Sequence, residues 1–430
     1  MKSKWNVIAL IVIVIIATWG LSFINQHNKI VRVKTLKQEI KINEDLGVYK
    51  TAISQYKELI AVDQKNIEWY YKLAKAYNKV NQFENYEKAC DLIISKFPED
   101  ITGYLELAKY YDKDQRYDKI IELYNTLPKS LKNNKEFDVV YKNSEYKFSY
   151  LSRSYQEIGR FLRTFAVVKE KDLYGYVDES TLDVITAKFK IARPFIEDKA
   201  AVFNDDEWFF VDKDGDKILA TKEKVEDLYS ISEGYASAKF DGKYGFVDDK
   251  FNKVKIEYDY TTNFYNGVAA VKKGDKWAII NKEFKDLTGF VYDDVVFDEF
   301  NICSRNGAIF AKKDGKYLML DLSGKTLTKD TYDAVKMFVS TQPVAVKKGD
   351  KWGFVDKKGK VIIDYKYEDA ESFSLGLAPV SINGKWGYID LKGELVITNE
   401  FDGAKPFYKS GVASVKSDNM YRFIQLIKYR

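Results

Sequence analysis

An aromatic residue returns at Tyr174, Trp208, Tyr244, Trp277, Tyr317, Trp352, Trp386 and Tyr421, at intervals of 34, 36, 33, 40, 35, 34 and 35 residues. Two further registers travel with it. Eight positions earlier stands a small or aliphatic residue in every copy: Ala166, Ala200, Ala236, Ala269, Ile309, Val344, Ala378 and Ala413. Ten positions earlier, five copies hold glycine: Gly234, Gly267, Gly307, Gly376 and Gly411. A period of this length from Phe165 to Arg430 marks one supersecondary unit repeated eight times.

In the clearest copy Val344-Ala-Val346 leads through Lys347-Lys-Gly-Asp350 into Trp352-Gly-Phe-Val355, then through Asp356-Lys-Lys-Gly359 into Val361-Ile-Ile363. Short β-branched and aromatic runs punctuated by Gly and Asp predict strands joined by tight turns, about three per unit. Asp241-Gly242, Asp314-Gly315 and Asn383-Gly384 suit the positive φ of two-residue hairpins, and Gly274-Asp275 and Gly349-Asp350 put Gly first, as a type II′ turn does. Gly175, Gly245, Gly353 and Gly387 are read as places where a neighbouring backbone leaves no room for a side chain. A single unit cannot bury its own aromatic face, so stability must come from stacking units, with the repeat aromatic as the shared core.

The runs KWGFVDKKGK at Lys351 to Lys360 and KWGYIDLKG at Lys385 to Gly393 resemble the WG-repeat family of bacterial proteins, whose mark is K-W-G-[FY]-[VI]-D-x-x-G. Four copies depart from it, with Trp208-Phe209, Trp277-Ala278, Tyr317-Leu318 and Tyr421-Arg422 in place of Trp-Gly. The resemblance implies a β-repeat module that binds other molecules, and no activity. Eight units can close into a propeller-like ring or run as an open β-solenoid. The last copy ends after its second strand, which both arrangements tolerate if a ring exchanges strands between the termini. The ring leaves fewer exposed edges and is favoured.

Upstream, residues 1–4 form a short basic tail. Residues 5–28 carry no formal charge, and about 20 apolar residues suffice to span a bilayer core as a helix. A single-pass transmembrane anchor is expected there, a cleaved signal peptide being the rival. The bulk of the chain is expected outside the cytoplasm. Residues 29–163 predict a helical domain. Tyr70, Leu73, Ala74 and Tyr77 return 34 residues later as Tyr104, Leu107, Ala108 and Tyr111, with apolar residues at helical spacing. This register resembles the tetratricopeptide repeat, which implies helical hairpins. The fold class is therefore multidomain α and β, with the eight-unit WG array occupying 164–430.

Chemistry is sparse. His27 is the only histidine, which excludes His-based triads and His-ligated zinc or haem. Cys90 and Cys303 have no CxxC or zinc spacing and read as isolated buried thiols. A net charge of +5 spread along the chain leaves no nucleic-acid footprint. No phosphate-binding Gly-rich loop is present. Asp212-Lys-Asp214-Gly-Asp216 offers carboxylates to Ca²⁺, but sister copies such as Asp356-Lys-Lys-Gly-Lys360 put lysine where a ligand would be, so Asp178, Asp212, Asp248, Asp321, Asp356 and Asp390 read as turn residues. Glu368-Asp369, Asp293-Asp294 and Asp205-Asp206 could supply paired carboxylates for glycoside hydrolysis, but nothing sets them at a catalytic distance. Phe195, Phe264, Phe338, Phe373 and Phe407 recur 13 or 14 positions before the repeat aromatic, which favours core packing over stacking on sugars.

The expectation is thus a non-enzymatic, membrane-anchored scaffold or adaptor that binds other proteins in the bacterial envelope and uses no cofactor or metal. A cell-wall or glycan-binding module is the alternative, and a hydrolase built on an acid pair the third reading.

Overall fold

The computed structural model describes residues 2–220 and 223–429, without the side chains of residues 2–15, 17, 20–22 and 152. The chain divides into two compact units, Met1–Glu145 and Tyr146–Arg430.

The first unit holds seven α-helices among the described residues: α1 (Lys2–Asp45), α2 (Tyr49–Val62), α3 (Ile67–Lys79), α4 (Phe83–Lys96), α5 (Thr102–Lys113), α6 (Tyr117–Thr126) and α7 (Lys135–Glu145). The 34-residue register places α3 and α5 at equivalent positions. Each ends before a left-handed residue, Asn81 (φ 57°) and Gln115 (φ 56°), which turns the chain back into the next helix. The predicted positions are buried: Tyr70, Leu73, Ala74, Tyr77, Tyr104, Leu107, Ala108 and Tyr111. Gly103 marks the tightest approach, since a Cβ there would sit 2.9 Å from Ile94 and 3.0 Å from the Cys90 carbonyl. The proposed anchor, residues 5–28, belongs to α1. Most of its side chains lie outside the description, and among the described residues no helix is long and apolar enough to cross a membrane.

The second unit is a ring of eight blades, a β-propeller, which decides between ring and solenoid. Blade 6 shows the plan: Ala334–Val335, Val344–Lys348, Lys351–Val355 and Val361–Tyr367 pair in that order, all antiparallel. The expectation of three strands per unit is corrected to four in most blades. The missed strand is only two residues long, too short to show any alternation. Blade 8 explains the incomplete last copy. Its strands Gly403–Ala404, Val412–Ser417 and Met420–Leu426 are completed by Phe148–Tyr155, from the start of the unit, which pairs with Met420–Leu426. Residues 146–163 therefore belong to the propeller, and the boundary read at Arg163 moves to Glu145. The helical periodicity had faded by then, but a single closing strand far from its partner carries no repeat signal of its own.

Glycine after the repeat aromatic has a defined job. Across from Gly175, Gly245, Gly353 and Gly387 the outer strand bulges: Trp352 pairs with Tyr367 and Phe354 with Ile363, so four steps on one strand oppose two on the other. Blades 1, 3 and 7 repeat that offset. The bulge folds over the glycine, and a Cβ on Gly387 would lie 2.6 Å from the Ile397 carbonyl oxygen, or 2.9 Å from that of Ile363 on Gly353. The close approach read from sequence is real; in blades 2, 5 and 8, where Phe209, Leu318 and Arg422 replace glycine, the register shift falls further along the strand.

The aromatic core is shifted from its expected place. Trp208, Trp277 and Trp352 are buried, but Tyr174, Tyr244, Tyr317, Trp386 and Tyr421 are half-buried. The position two residues on is sealed in every blade: Tyr176, Phe210, Phe246, Ile279, Met319, Phe354, Tyr388 and Phe423. Against these rings pack the recurrent phenylalanines of the following blades. Phe195 meets Tyr176, Phe264 meets Phe246, Phe373 meets Phe354 and Phe407 meets Tyr388, each with ring centroids 4.8 Å apart. Successive blades are therefore joined by aromatic pairs, each worth about 0.5–1.5 kcal/mol beyond burial of its area.

Candidate functional site

The residues that follow the two-residue strands face the axis of the ring, because they touch one another from blade to blade. Arg193 Nη2 donates to Asp227 at 2.8 Å, the Tyr229 and Tyr260 hydroxyls are 2.9 Å apart, and Lys336 and Lys405 each place Nζ 3.4 Å from Glu371. In blade 5 this segment is longer. Residues 296–307 separate Asp294–Val295 from Ala308–Lys313, where other blades use six to eight residues, and this accounts for the one interval of 40.

The extra length fills the axis. Asp298 Oδ1 accepts the Phe300 and Ile302 amides at 3.0 and 3.3 Å and shapes the tip. The loop docks on blade 4, where Asn263 N donates to Asn301 O at 2.6 Å and Asn301 Nδ2 donates to Thr261 O at 3.1 Å. It then reaches blade 1, on the opposite side of the ring: Arg160 Nε donates to Glu299 and Arg160 Nη2 to Asp298 at 3.5 Å. Phe300 and Ile302 are buried with Ile196 of blade 2. Asp298 is only 3% exposed and is held chiefly by Arg305, whose Nε and Nη2 donate to it at 2.8 and 2.7 Å. Burial works against the Arg160 charge, but Glu299 and Asp298 outweigh it and raise its pKa.

Two cavities flank this bridge and share Arg160, Val339 and Lys405. One, of about 350 Å³, is walled by Arg160, Arg305, Lys405, Lys409 and aromatic residues. The other, of about 230 Å³, contains Asp298, Glu299 and Glu371 with Lys336. In the helical unit a separate groove of about 330 Å³ runs between Lys75, Phe83, Tyr86, Lys109, Tyr110 and Lys113. Phe83 stacks on Tyr110 at 5.9 Å yet remains 44% exposed.

Phe407 borders the larger cavity, and the other residues singled out from sequence fall elsewhere. Oδ1 of Asp178, Asp212, Asp248, Asp321, Asp356 and Asp390 accepts the amides two and four residues on, at 2.8–3.0 Å, so these aspartates build turns. Among the described residues no group of His, Cys, Asp and Glu is arranged to hold a metal ion. The three acid pairs are engaged singly. Asp293 takes Lys276 at 2.5 Å, Asp294 the Tyr317 hydroxyl at 2.7 Å, Glu368 the Gly384 amide at 2.8 Å, and Asp206 faces Lys190 at 3.4 Å beside Asp205 in a turn. Phe195, Phe264, Phe338, Phe373 and Phe407 are all buried. Cys90 and Cys303 are free and buried, and burial pushes their thiols up to about 12 and about 11, out of reach of thiolate chemistry. The axial residues escaped sequence reading because they follow two-residue strands. The 40-residue interval was their one visible trace.

Residues 208–244, 244–277, 352–386 and 386–421 match the model of the WG containing repeat. The propeller carries WG repeats. The matched stretches run from one repeat aromatic to the next, Trp208 to Trp277 and Trp352 to Tyr421, and take in Tyr244-Gly245, Trp352-Gly353 and Trp386-Gly387. No curated protein matches the sequence. Among solved structures, a eukaryotic initiation factor is 12% identical with TM-score 0.44, covering 66% of this chain and 88% of that one. PorZ, a bacterial surface component of the type-IX secretion system of Porphyromonas gingivalis, is 9% identical with TM-score 0.34, over 62% and 42%. The Pan2 WD40 domain of Neurospora crassa is 11% identical with TM-score 0.33, over 63% and 89%. The propeller assignment rests on the strand order of the chain itself.

Proposed function

We propose that the protein is a non-catalytic scaffold of the bacterial envelope, anchored in the membrane through residues 5–28 with both units outside the cytoplasm, and that it engages protein partners through its helical unit. The groove around Phe83 carries this reading. An aromatic ring left 44% exposed beside Tyr110, in a rim where Lys75, Lys109 and Lys113 alternate with Glu106 and Asp114, is what an apolar side chain of a partner would fill. The repeated register of α3 to α6 supports a tetratricopeptide-like array, whose concave surfaces suit peptide segments.

In-cell crosslinking compares the full chain with Phe83→Ala. The partners are expected to disappear from the variant while its melting stays unchanged; identical recovery from both proteins, or none from either, refutes the reading. Placement is checked by labelling Lys171→Cys, in an exposed turn, with a membrane-impermeant maleimide. The buried native thiols leave a low background. Labelling only after lysis would put the propeller inside the cytoplasm.

A further inference from the structure

The cavity of about 350 Å³ at one end of the propeller axis has a composition unlike its neighbour. Arg160, Arg305, Lys405 and Lys409 stand in its wall with no Asp or Glu among the lining residues. The carboxylates that balance the two arginines, Asp298 and Glu299, line the cavity on the other side of the bridge instead. The cations of one chamber are therefore held from behind by the acids of the other.

That arrangement fixes the guanidinium groups before any ligand arrives. Arg305 and Arg160 both lie against the ring of Phe300, at 5.2 and 5.4 Å, and Arg305 also against Tyr265 at 4.8 Å. Each uses Nε and Nη2 on Asp298 or Glu299 and keeps Nη1 without a hydrogen-bond partner among the described residues. An arginine already immobilised loses little further entropy on binding, which favours affinity. Gln342 is set the same way. Its Oε1 accepts the Gly376 amide at 2.8 Å, so its amide nitrogen is the end left to donate. The remaining wall combines the hydroxyl residues Ser340, Thr341, Ser374 and Ser414 with apolar and aromatic ones, among them Phe161, Leu375 and Tyr408. Fixed cations, an amide donor and an apolar floor in a space of a few hundred cubic ångströms describe a small-molecule site.

We propose that this chamber binds a small anionic ligand, a carboxylate or phosphate carried on a single ring the size of a monosaccharide, with the anion against Arg305, Lys405 and Lys409 and the ring against Tyr408. The site belongs to the propeller and stands apart from partner binding by the helical unit. The blade-5 loop contributes Phe300 and Arg305 to its wall, so the six or so residues beyond the usual spacing help to build a binding site and do more than fill a hole.

Calorimetric titration of the full chain tests this with glucose 6-phosphate, glucuronate and uncharged glucose. The two anions are expected to bind and to weaken as salt rises, and glucose is expected to bind at least tenfold more weakly. An oligogalacturonide then separates sources: binding equal to that of glucuronate indicates a polymer end, and exclusion indicates a free metabolite. Lys409 is 68% exposed and, among the described residues, its ion-pair contact is Glu179 at 3.9 Å, so Lys409→Gln is expected to fold normally and to lose at least threefold in affinity for both anions. Arg305→Lys keeps the charge on Asp298 and removes the free Nη1, and a further loss of at least threefold is expected. The proposal is overturned if none of the probes binds, if glucose binds as well as the anions, or if Lys409→Gln and the melting-competent Arg305→Lys both bind like the parent chain.

Discussion

Blades 1, 3, 6 and 7 carry glycine after the repeat aromatic, whereas blades 2, 4, 5 and 8 carry Phe209, Ala278, Leu318 and Arg422. In the first set the outer strand bulges across the glycine. In the second set Phe209 pairs directly with Ala220, Leu318 with Thr331 and Arg422 with Ser154, and among the described residues blade 4 has only isolated bridges, Trp277 to Tyr292 and Ile280 to Asp286, in place of a fourth strand. The bulge and the side chain compete for one space, so a side chain there moves the register shift further along the strand in blades 2, 5 and 8. The irregular blades are also where the ring acquires its special parts: blade 5 supplies the axial loop, blade 4 the surface on which it docks, and blade 8 the seam that closes the circle. Regular repeats hold the ring, and departures from the repeat equip it.

The largest expected effect concerns the seam. Removing residues 1–145 leaves Phe148–Tyr155 in place, and the propeller is expected to melt cooperatively. Removing 1–163 strips that strand from Met420–Leu426 and exposes the Ile424 and Leu426 side of blade 8, and the cooperative transition in circular dichroism is expected to vanish. Next comes the glycine contrast. Gly387→Val forces a Cβ against the backbone of Ile397 and Asn399, which cannot yield as a side chain could, and should cost about 3 kcal/mol or more in denaturant unfolding. The reverse change in an irregular blade, Ala278→Gly, should cost only about 1 kcal/mol. If the two costs are alike, the bulge rule is wrong.

A third test addresses the axial loop. Arg305→Ala leaves buried Asp298 with Arg160 at 3.5 Å and the Phe300 and Ile302 amides, and a loss of about 2–3 kcal/mol is expected, below the full cost of orphaning a buried charge. The smallest effect should ignore the division between blades. Lys243, Lys276, Lys316 and Lys385 pair with Asp259, Asp293, Asp333 and Asp402, each acid standing just before the next blade. Those lysines hold all four carboxyls below the usual range, with turn amides such as that of Gly274 adding to the effect. A folded pKa below the unfolded value near 3.9 means a contribution present above about pH 4 and lost as pH falls through the folded pKa. The thermal midpoint should therefore decline below about pH 4. Lys243→Met in a regular blade and Lys276→Met in an irregular one should blunt that decline equally.

Much of this was legible beforehand. The period, the sealed small residue at Ala166 and its equivalents, the Asp-Gly hairpins and the glycine contacts are all local rules, and each is obeyed: Asp241-Gly242, Asp314-Gly315 and Asn383-Gly384 have positive φ at both positions. What went unseen was short or distant. Two-residue strands show no alternation, and the strand 148–155 finds its partner about 270 residues away. The fully buried ring two positions after the repeat aromatic was passed over for the more conspicuous tryptophan.

The amino-acid order alone settles the unit of construction, since periodicity and turn chemistry act between near neighbours and need no knowledge of the whole. Closure, and what occupies the axis, belong to the folded ring. Arg160 and Glu299 are 139 positions apart and meet only because eight blades bring blades 1 and 5 face to face. A charge on either one has no visible partner until the circle is complete.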